Sequence, residues 1–283
     1  MNRLSLALLL AAPLLAQATQ ITAGTAEYVT FRNCVAGATA CDDISPIVTG
    51  QYGGNPGATS SSATQNVAGY GSASGSVSLS GVVGAPVLHA SATSVAGTRA
   101  NTNSVALQSY TYTGSTTTTR TFGGTLTYDQ MLTGVYPDPA GTGVYALIDA
   151  FTLTAPSIDA GTDAGSNFDA LFSEPFATDP TLGYLDLGQS VFTDNSSTAA
   201  GNANLGVTLT LTPGETIWLY VLLQTPAVNG SVIDASHTLV TNWDVATDLT
   251  PGAVGAPVPE PSSLALFALG LAGLAAARVR RAR

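Results

Sequence analysis

Apolar residues alternate with polar or small ones in short runs along most of the chain, the period-2 signature of strands that bury one face. Such runs occupy 28–32, 44–52, 67–79, 87–95, 105–113, 116–128, 144–154, 184–192, 205–211, 216–224 and 231–243. Gly, Pro, Asn and Asp punctuate the gaps, as in Thr212-Pro213-Gly214-Glu215 and Val228-Asn229-Gly230-Ser231. The second of these predicts a hairpin, because Asn-Gly supplies the positive φ angles of a type I′ turn. The clearest strand pair lies around the first. Val207, Leu209 and Leu211 alternate with threonines, giving one apolar and one wet face, whereas 217–223 is continuously apolar and belongs in the middle of a sheet. Phe168, Leu171 and Phe172 fall at helical spacing and predict one short helix over 167–173. Many short strands without a long amphipathic helix indicate an all-β fold, an antiparallel β-sandwich with the jelly roll as a candidate topology.

Two stretches depart from this pattern. Residues 53–81 are rich in Gly, Ser, Ala and Thr, with Val67, Tyr70, Val77 and Leu79 spaced among them, which favours an edge strand of low burial over a linker. Residues 250–257 read as a Pro/Gly-rich stalk that closes an ectodomain of 19–249.

The termini carry the strongest signals. Arg3 and the amino terminus precede a short apolar run from Leu4 to Leu15, and Ala16-Gln17-Ala18 fits the small-x-small rule for cleavage, so 1–18 reads as a signal peptide. At the other end Val258-Pro259-Glu260-Pro261 leads into an apolar run from Leu264 to Ala277, followed by Arg278, Arg280, Arg281 and Arg283. That run spans only about 21 Å of a hydrocarbon core of about 30 Å, a marginal anchor on its own. The terminal arginines stay cytoplasmic by the positive-inside bias, which leaves everything upstream of Val258 outside. Pro259-Glu260-Pro261, the short apolar helix and the Arg cluster together resemble the C-terminal sorting signal of PEP-CTERM proteins of Gram-negative bacteria. The resemblance covers about 25 residues, 258–283. It implies that an exosortase, a membrane-embedded cysteine peptidase, recognises Pro259-Glu260-Pro261. The precursor would then be anchored in the inner membrane before the tail is removed and the protein reaches the cell surface or the extracellular space. Such proteins commonly accompany exopolysaccharide and biofilm systems. The competing reading is an ordinary tail anchor whose prolines only break the helix at the membrane entry.

Charge and cysteine usage agree with export. The chain has no lysine, and between Thr19 and Val258 only Arg32, Arg99 and Arg120 stand against seventeen acidic residues, a formal charge near −14. Such a surface repels nucleic acid, which excludes it as a partner. Cys34 and Cys41 bracket a small loop of Val, Ala, Gly and Thr, suited to a disulfide in the oxidising periplasm.

Candidate chemistry is sparse. Only His89 and His237 are available as bases, in no metal-ligand pattern and with no Gly-x-Ser-x-Gly elbow. Asp159, Asp163, Asn167 and Asp169 form the best candidate for Ca²⁺, since hard cations want six to eight oxygens on a flexible loop. The EF-hand order is missing, so the alternative is a loop whose Asp and Asn cap their own backbone. No other cofactor is implied. Trp218, Trp243, Tyr110, Tyr112, Tyr128 and Tyr136 offer a sugar-stacking platform or ordinary interior packing, and packing is the stronger reading, with Trp218 in the core. Asp234, Ser236 and Thr238 share one face of the last long strand and read as a structural polar row. The residues thus point to a non-enzymatic surface or matrix protein with exosortase and exopolysaccharide as partners. A carbohydrate-binding module is the second reading and a secreted hydrolase the third.

For the cysteines the expected outcome is a Cys34–Cys41 bond, which closes a short loop and adds roughly 2–3 kcal/mol at most. Intact mass under non-reducing conditions should fall two hydrogens below the reduced chain, and two titratable thiols in the unfolded, unreduced protein would remove the bond.

Overall fold

The computed structural model describes residues 22–34, 47–131, 142–152, 183–192 and 199–253, with the backbone alone for 55–56, 183–192, 199 and 236–237. They form thirteen strands and one 3-10 turn, Val82–Gly84. In chain order the strands are β1 (Ala23–Asn33), β2 (Ile47–Pro56), β3 (Ser60–Val67), β4 (Gly71–Ser78), β5 (Val87–Ser94), β6 (Thr98–Tyr112) and β7 (Thr118–Met131). They continue with β8 (Tyr145–Thr152), β9 (Gly183–Phe192), β10 (Ala199–Leu211), β11 (Thr216–Val228), β12 (Val232–Trp243) and β13 (Leu249–Pro251). A front sheet has the order β2-β1-β6-β11-β8-β9, with β13 also paired to β6. A back sheet has the order β10-β7-β12-β5-β4-β3. The fold is an antiparallel β-sandwich, as the alternation predicts. The predicted helix over 167–173 lies outside the described residues.

The continuous apolar run of β11 reflects burial on both faces. Ile217, Leu219, Val221 and Leu223 point into the space between the sheets. Trp218, Tyr220 and Leu222 point to the opposite side of the front sheet, where they join Ala26, Val105, Leu107, Leu147 and Phe151 in a second apolar cluster. Trp218 is in the core, as its apolar strand suggests, 3% exposed; its place is this second cluster on the outer side of the front sheet, where it stacks on Phe151 at 6.4 Å. Trp243 is the interior tryptophan, edge-on to Tyr110 at 5.3 Å and to Phe122 at 5.2 Å. Tyr110 and Tyr112 are buried in the same interior and Tyr128 packs against it, so packing and not a platform accounts for these three. Tyr136 lies outside the described residues.

Two expected hairpins are corrected. The turn at Thr212–Glu215 is present, with Thr212 N donating to Glu215 Oε2 at 2.8 Å and Gly214 at a φ of 81°. It joins β10 of the back sheet to β11 of the front sheet, so the two strands do not pair. Asn229 and Gly230 have φ of 54° and 88°, as Asn-Gly turns require, yet this turn carries the chain from β11 to β12 across the sandwich. The physical reason is occupancy: β11 already bonds β6 on one side and β8 on the other, which leaves no edge for either sequence neighbour.

The Gly/Ser-rich stretch is mostly strand, made of the end of β2, β3 and β4, with a turn at 68–70 between the last two and positive φ at Gly69 and Gly71. β3 is an edge strand of the back sheet, as its composition suggests. Small side chains are needed here because the two sheets come close: a Cβ on Gly53 would meet the Ser62 backbone, and one on Gly75 would strike Glu27, Thr102 and Ser104. The stalk also begins later than residue 250. Thr250 and Pro251 pair with Thr111 and Tyr110 of β6, and Gly252 N donates to Ser109 O at 2.8 Å. β1 leaves that end of the long strand β6 unpaired, and β13 fills it. The two ends of the domain therefore meet: Thr22 Oγ1 donates to Ala253 O at 2.8 Å.

Candidate functional site

Several sequence candidates lie outside the described residues: the loop of Asp159, Asp163, Asn167 and Asp169, Cys41, the motif Pro259-Glu260-Pro261, and Arg278, Arg280, Arg281 and Arg283. The same holds for the side chain of His237. Cys34 directly follows β1, its amide donating to Gly97 O at 3.0 Å. Among the described residues no helix is long and apolar enough to cross a membrane, and no group of three or more His, Cys, Asp or Glu is placed to hold a metal ion.

His89 sits on the outer side of the back sheet, half-buried, with Nδ1 3.2 Å from Thr238 Oγ1. Thr238 reaches it through a bulge. Ala235 pairs with Ala90 and Leu239 with Leu88, so β12 inserts two extra residues against β5, and Thr238 takes a φ of 101°. Of the expected polar row, Asp234 and Thr238 both face the outer side, and the side chain of Ser236 lies outside the described residues. Asp234 remains on the outer side, directly opposite Asp129 of β7.

Glu27 is a carboxyl inside the sandwich. Ser104 Oγ lies 2.8 Å from its Oε2 and 3.0 Å from His89 O, while Oε1 is buried with no hydrogen-bond partner. Ser104 has one hydrogen to donate. Both contacts are satisfied together when Glu27 is protonated and donates to Ser104 Oγ, freeing the Ser104 hydroxyl for the carbonyl. Burial accordingly pushes the Glu27 pKa well above the usual carboxylate range, with the Ser104 hydrogen bond opposing part of the shift. Gly53 beside it and Gly75 above it leave no room for a substrate, so the group is not placed as a general acid.

The outer side of the front sheet brings aromatic, amide and guanidinium side chains together. Register aligns Tyr52, Tyr28, Asn103, Gln224 and Tyr145 in one row across β2, β1, β6, β11 and β8. Tyr28 and Tyr52 stack at 4.0 Å and 8°. Gln224 Nε2 donates to Asn103 Oδ1 at 2.7 Å, and Asn101 Nδ2 donates to the same oxygen at 3.3 Å. The next outward-facing pairs along β1 and β6 are Thr30 with Asn101 and Arg32 with Arg99. The tyrosines, Gln224, Asn101 and Arg32 are half-buried, with Asn103 and Arg99 deeper at 3% and 6% exposure. None of these residues stands out in the sequence, since they come from five strands. The signal that was available is charge: two of the three arginines between Thr19 and Val258 belong to this patch.

The family model of the PEP-CTERM protein-sorting motif matches residues 257–281, so the chain carries that sorting domain. The motif implies an exported protein processed by an exosortase. No curated protein matches the chain. Among solved structures, a carbohydrate-binding module from the β-sandwich superfamily is similar at 10% identity and a TM-score of 0.24, over 81% of this chain and 94% of that one. A likeness of that degree carries no argument.

The buried carboxyl generates a stability prediction. Between the unfolded pKa and the raised folded one, the native state holds a proton that the unfolded chain has released. Stability therefore falls as pH rises above about 4.3 and levels off only above the folded pKa. Glu27→Gln keeps the shape and removes the titration. Urea unfolding across pH 4 to 8 should show the variant more stable at neutral pH and with a flatter profile. An unchanged slope would mean that Glu27 ionises as freely in the fold as outside it.

Proposed function

We propose that this chain is a non-enzymatic surface protein of the extracellular polysaccharide matrix, delivered by an exosortase that acts at Pro259-Glu260-Pro261. The observation that carries the reading is the sorting motif at 257–281, placed directly after a domain that ends in the sheet at β13. The Thr22–Ala253 hydrogen bond supports it further, because it ties the first and last described residues of the domain together. Removal of the signal peptide and of the tail then leaves a sandwich whose terminal strands are already paired. The processed part keeps a strongly acidic surface, which favours solubility in a hydrated matrix. The position of Glu27 between the sheets and the pairing of His89 with Thr238 favour a structural over a catalytic use of these groups.

The apolar run of 264–277 is shorter than a spanning helix needs, which suits a transient substrate better than a lasting anchor. Protein recovered from the cell surface should end close to Pro259–Pro261. Replacing Pro259, Glu260 and Pro261 with alanine keeps the apolar run and the arginines, so insertion should survive while release is lost. Intact mass of the two forms decides the matter: a wild-type surface form that still carries Arg283, or equal release of both, contradicts exosortase sorting.

A further inference from the structure

The outer side of the front sheet is apolar at its centre and yet shielded from water. Val105, Leu107, Phe151 and Tyr220 are at most 1% exposed there, and Trp218 and Leu222 at most 4%. An antiparallel sheet that shows one face to solvent alternates apolar with polar residues, whereas strands covered on both faces read as continuous apolar runs. β11 is such a run, so this face is built to be covered. Every described strand belongs to one of the two sheets, and the back sheet packs against the opposite face. Among the described residues, therefore, no strand or helix lies over the outer side. The shielding is present in the single chain, so its source is another part of that chain.

The register shows where this part leaves the sheet. β8 and β9 are antiparallel neighbours, and Thr152 pairs directly with Gly183. A hairpin needs only about two to five residues at such a point. Here the connection is 153–182, and it departs beside Phe151 and Trp218, which pair across β8 and β11. A chain of that length that returns to its starting point reaches out by roughly 50 Å at most. The four strands that carry the cluster span only about 15 Å.

Composition singles out the same stretch. It holds Phe168, Phe172 and Phe176, three of the eight phenylalanines of the chain, together with Ile158 and Leu171. Its charged residues are all acidic: Asp159, Asp163, Asp169, Glu174 and Asp179. The other internal connections outside the described residues offer less, since 35–46 and 193–198 contain no aromatic residue and 132–141 only Tyr136. The signal peptide and the tail beyond Pro259–Pro261 leave the mature protein in the processing proposed above.

We propose that residues 153–182 form a third layer on the outer side of the front sheet, setting their apolar side chains on the cluster around Trp218, Tyr220 and Phe151 and their carboxylates toward solvent. A bare apolar face of this kind draws copies of a protein together. The layer replaces it with an acidic surface that keeps the domain soluble in a hydrated matrix.

Trp218 reports the layer directly, because Trp243→Phe makes it the only tryptophan of the chain. In that full-length variant, held in lipid nanodiscs, Trp218 should emit as a buried indole and resist quenching by acrylamide. Replacing 153–182 with Asn-Gly, the sequence of a tight type I′ turn, should move the emission to longer wavelength and raise the quenching constant severalfold, with the far-UV β-sheet spectrum kept. Phe168→Asp combined with Phe172→Asp leaves every sheet residue in place and should act in the same direction, which covers a deletion that fails to fold. Trp218 as accessible as free indole before any change to 153–182, or unchanged quenching in either folded variant, would overturn the proposal. So would a quenching constant that falls as the protein is concentrated, the mark of a second copy as the cover. None of these results bears on where the surface form ends, so a failure here is separable from a failure of exosortase sorting.

Discussion

Burial of β6 and β11 on both faces is the constraint from which the rest of the architecture follows. Thr216–Val228 pairs without a break against Arg99–Thr111, and the two strands contribute apolar side chains to the interior and to the outer cluster at once. Each fully buried Leu, Val or aromatic side chain is worth about 1.5–3 kcal/mol, so a strand that buries successive residues contributes about twice what a one-sided strand can. Once these strands hold the middle of the front sheet, their sequence neighbours find no free edge beside them. β10 and β12 must cross to the back sheet, and turns with hairpin chemistry serve as arches between layers.

The second constraint is how closely the layers approach. At one end of the sandwich Tyr110, Phe122 and Trp243 fill the gap with ring edges and faces. Elsewhere Ala63, Ala73, Gly75, Ala90 and Ala92 face a polar inner surface that includes Thr25, Glu27, Thr102 and Ser104. Inter-sheet hydrogen bonds replace apolar volume there, with Thr102 Oγ1 donating to Ser91 O at 2.7 Å. The Gly/Ser composition of β2 to β4 is thus a packing requirement, and the raised pKa of Glu27 is its consequence, since burial between the sheets disfavours a charge.

Strand positions were largely legible in the sequence, because period-2 alternation is local. β10 shows it best, with Leu205, Val207, Leu209 and Leu211 buried and the intervening threonines out. Partner choice was not legible: Asn229-Gly230 has the same positive φ whether it closes a hairpin or an arch, and the difference is set by strands far away in the chain. The continuous run of β11 signalled double burial but not that Trp218 would take the outer side. In β12 the polar alternation through Asp234, Ser236 and Thr238 masked a two-residue bulge. The patch of Tyr28, Tyr52, Asn101, Asn103 and Gln224 was invisible for a related reason. Each residue is ordinary in its own strand, and only the register of the front sheet assembles them. The sorting motif was fully legible, since its three parts are contiguous.

If the doubly buried pair is the frame on which the sandwich depends, native-state hydrogen exchange reports it directly. Amides of β6 and β11 within Arg99–Thr111 and Thr216–Val228 should exchange slowest, at rates that reflect global unfolding. Those of the edge strands β3 and β10 should exchange earlier. Protection in β3 equal to that in β11, or early exchange anywhere along the β6–β11 ladder, would contradict the account.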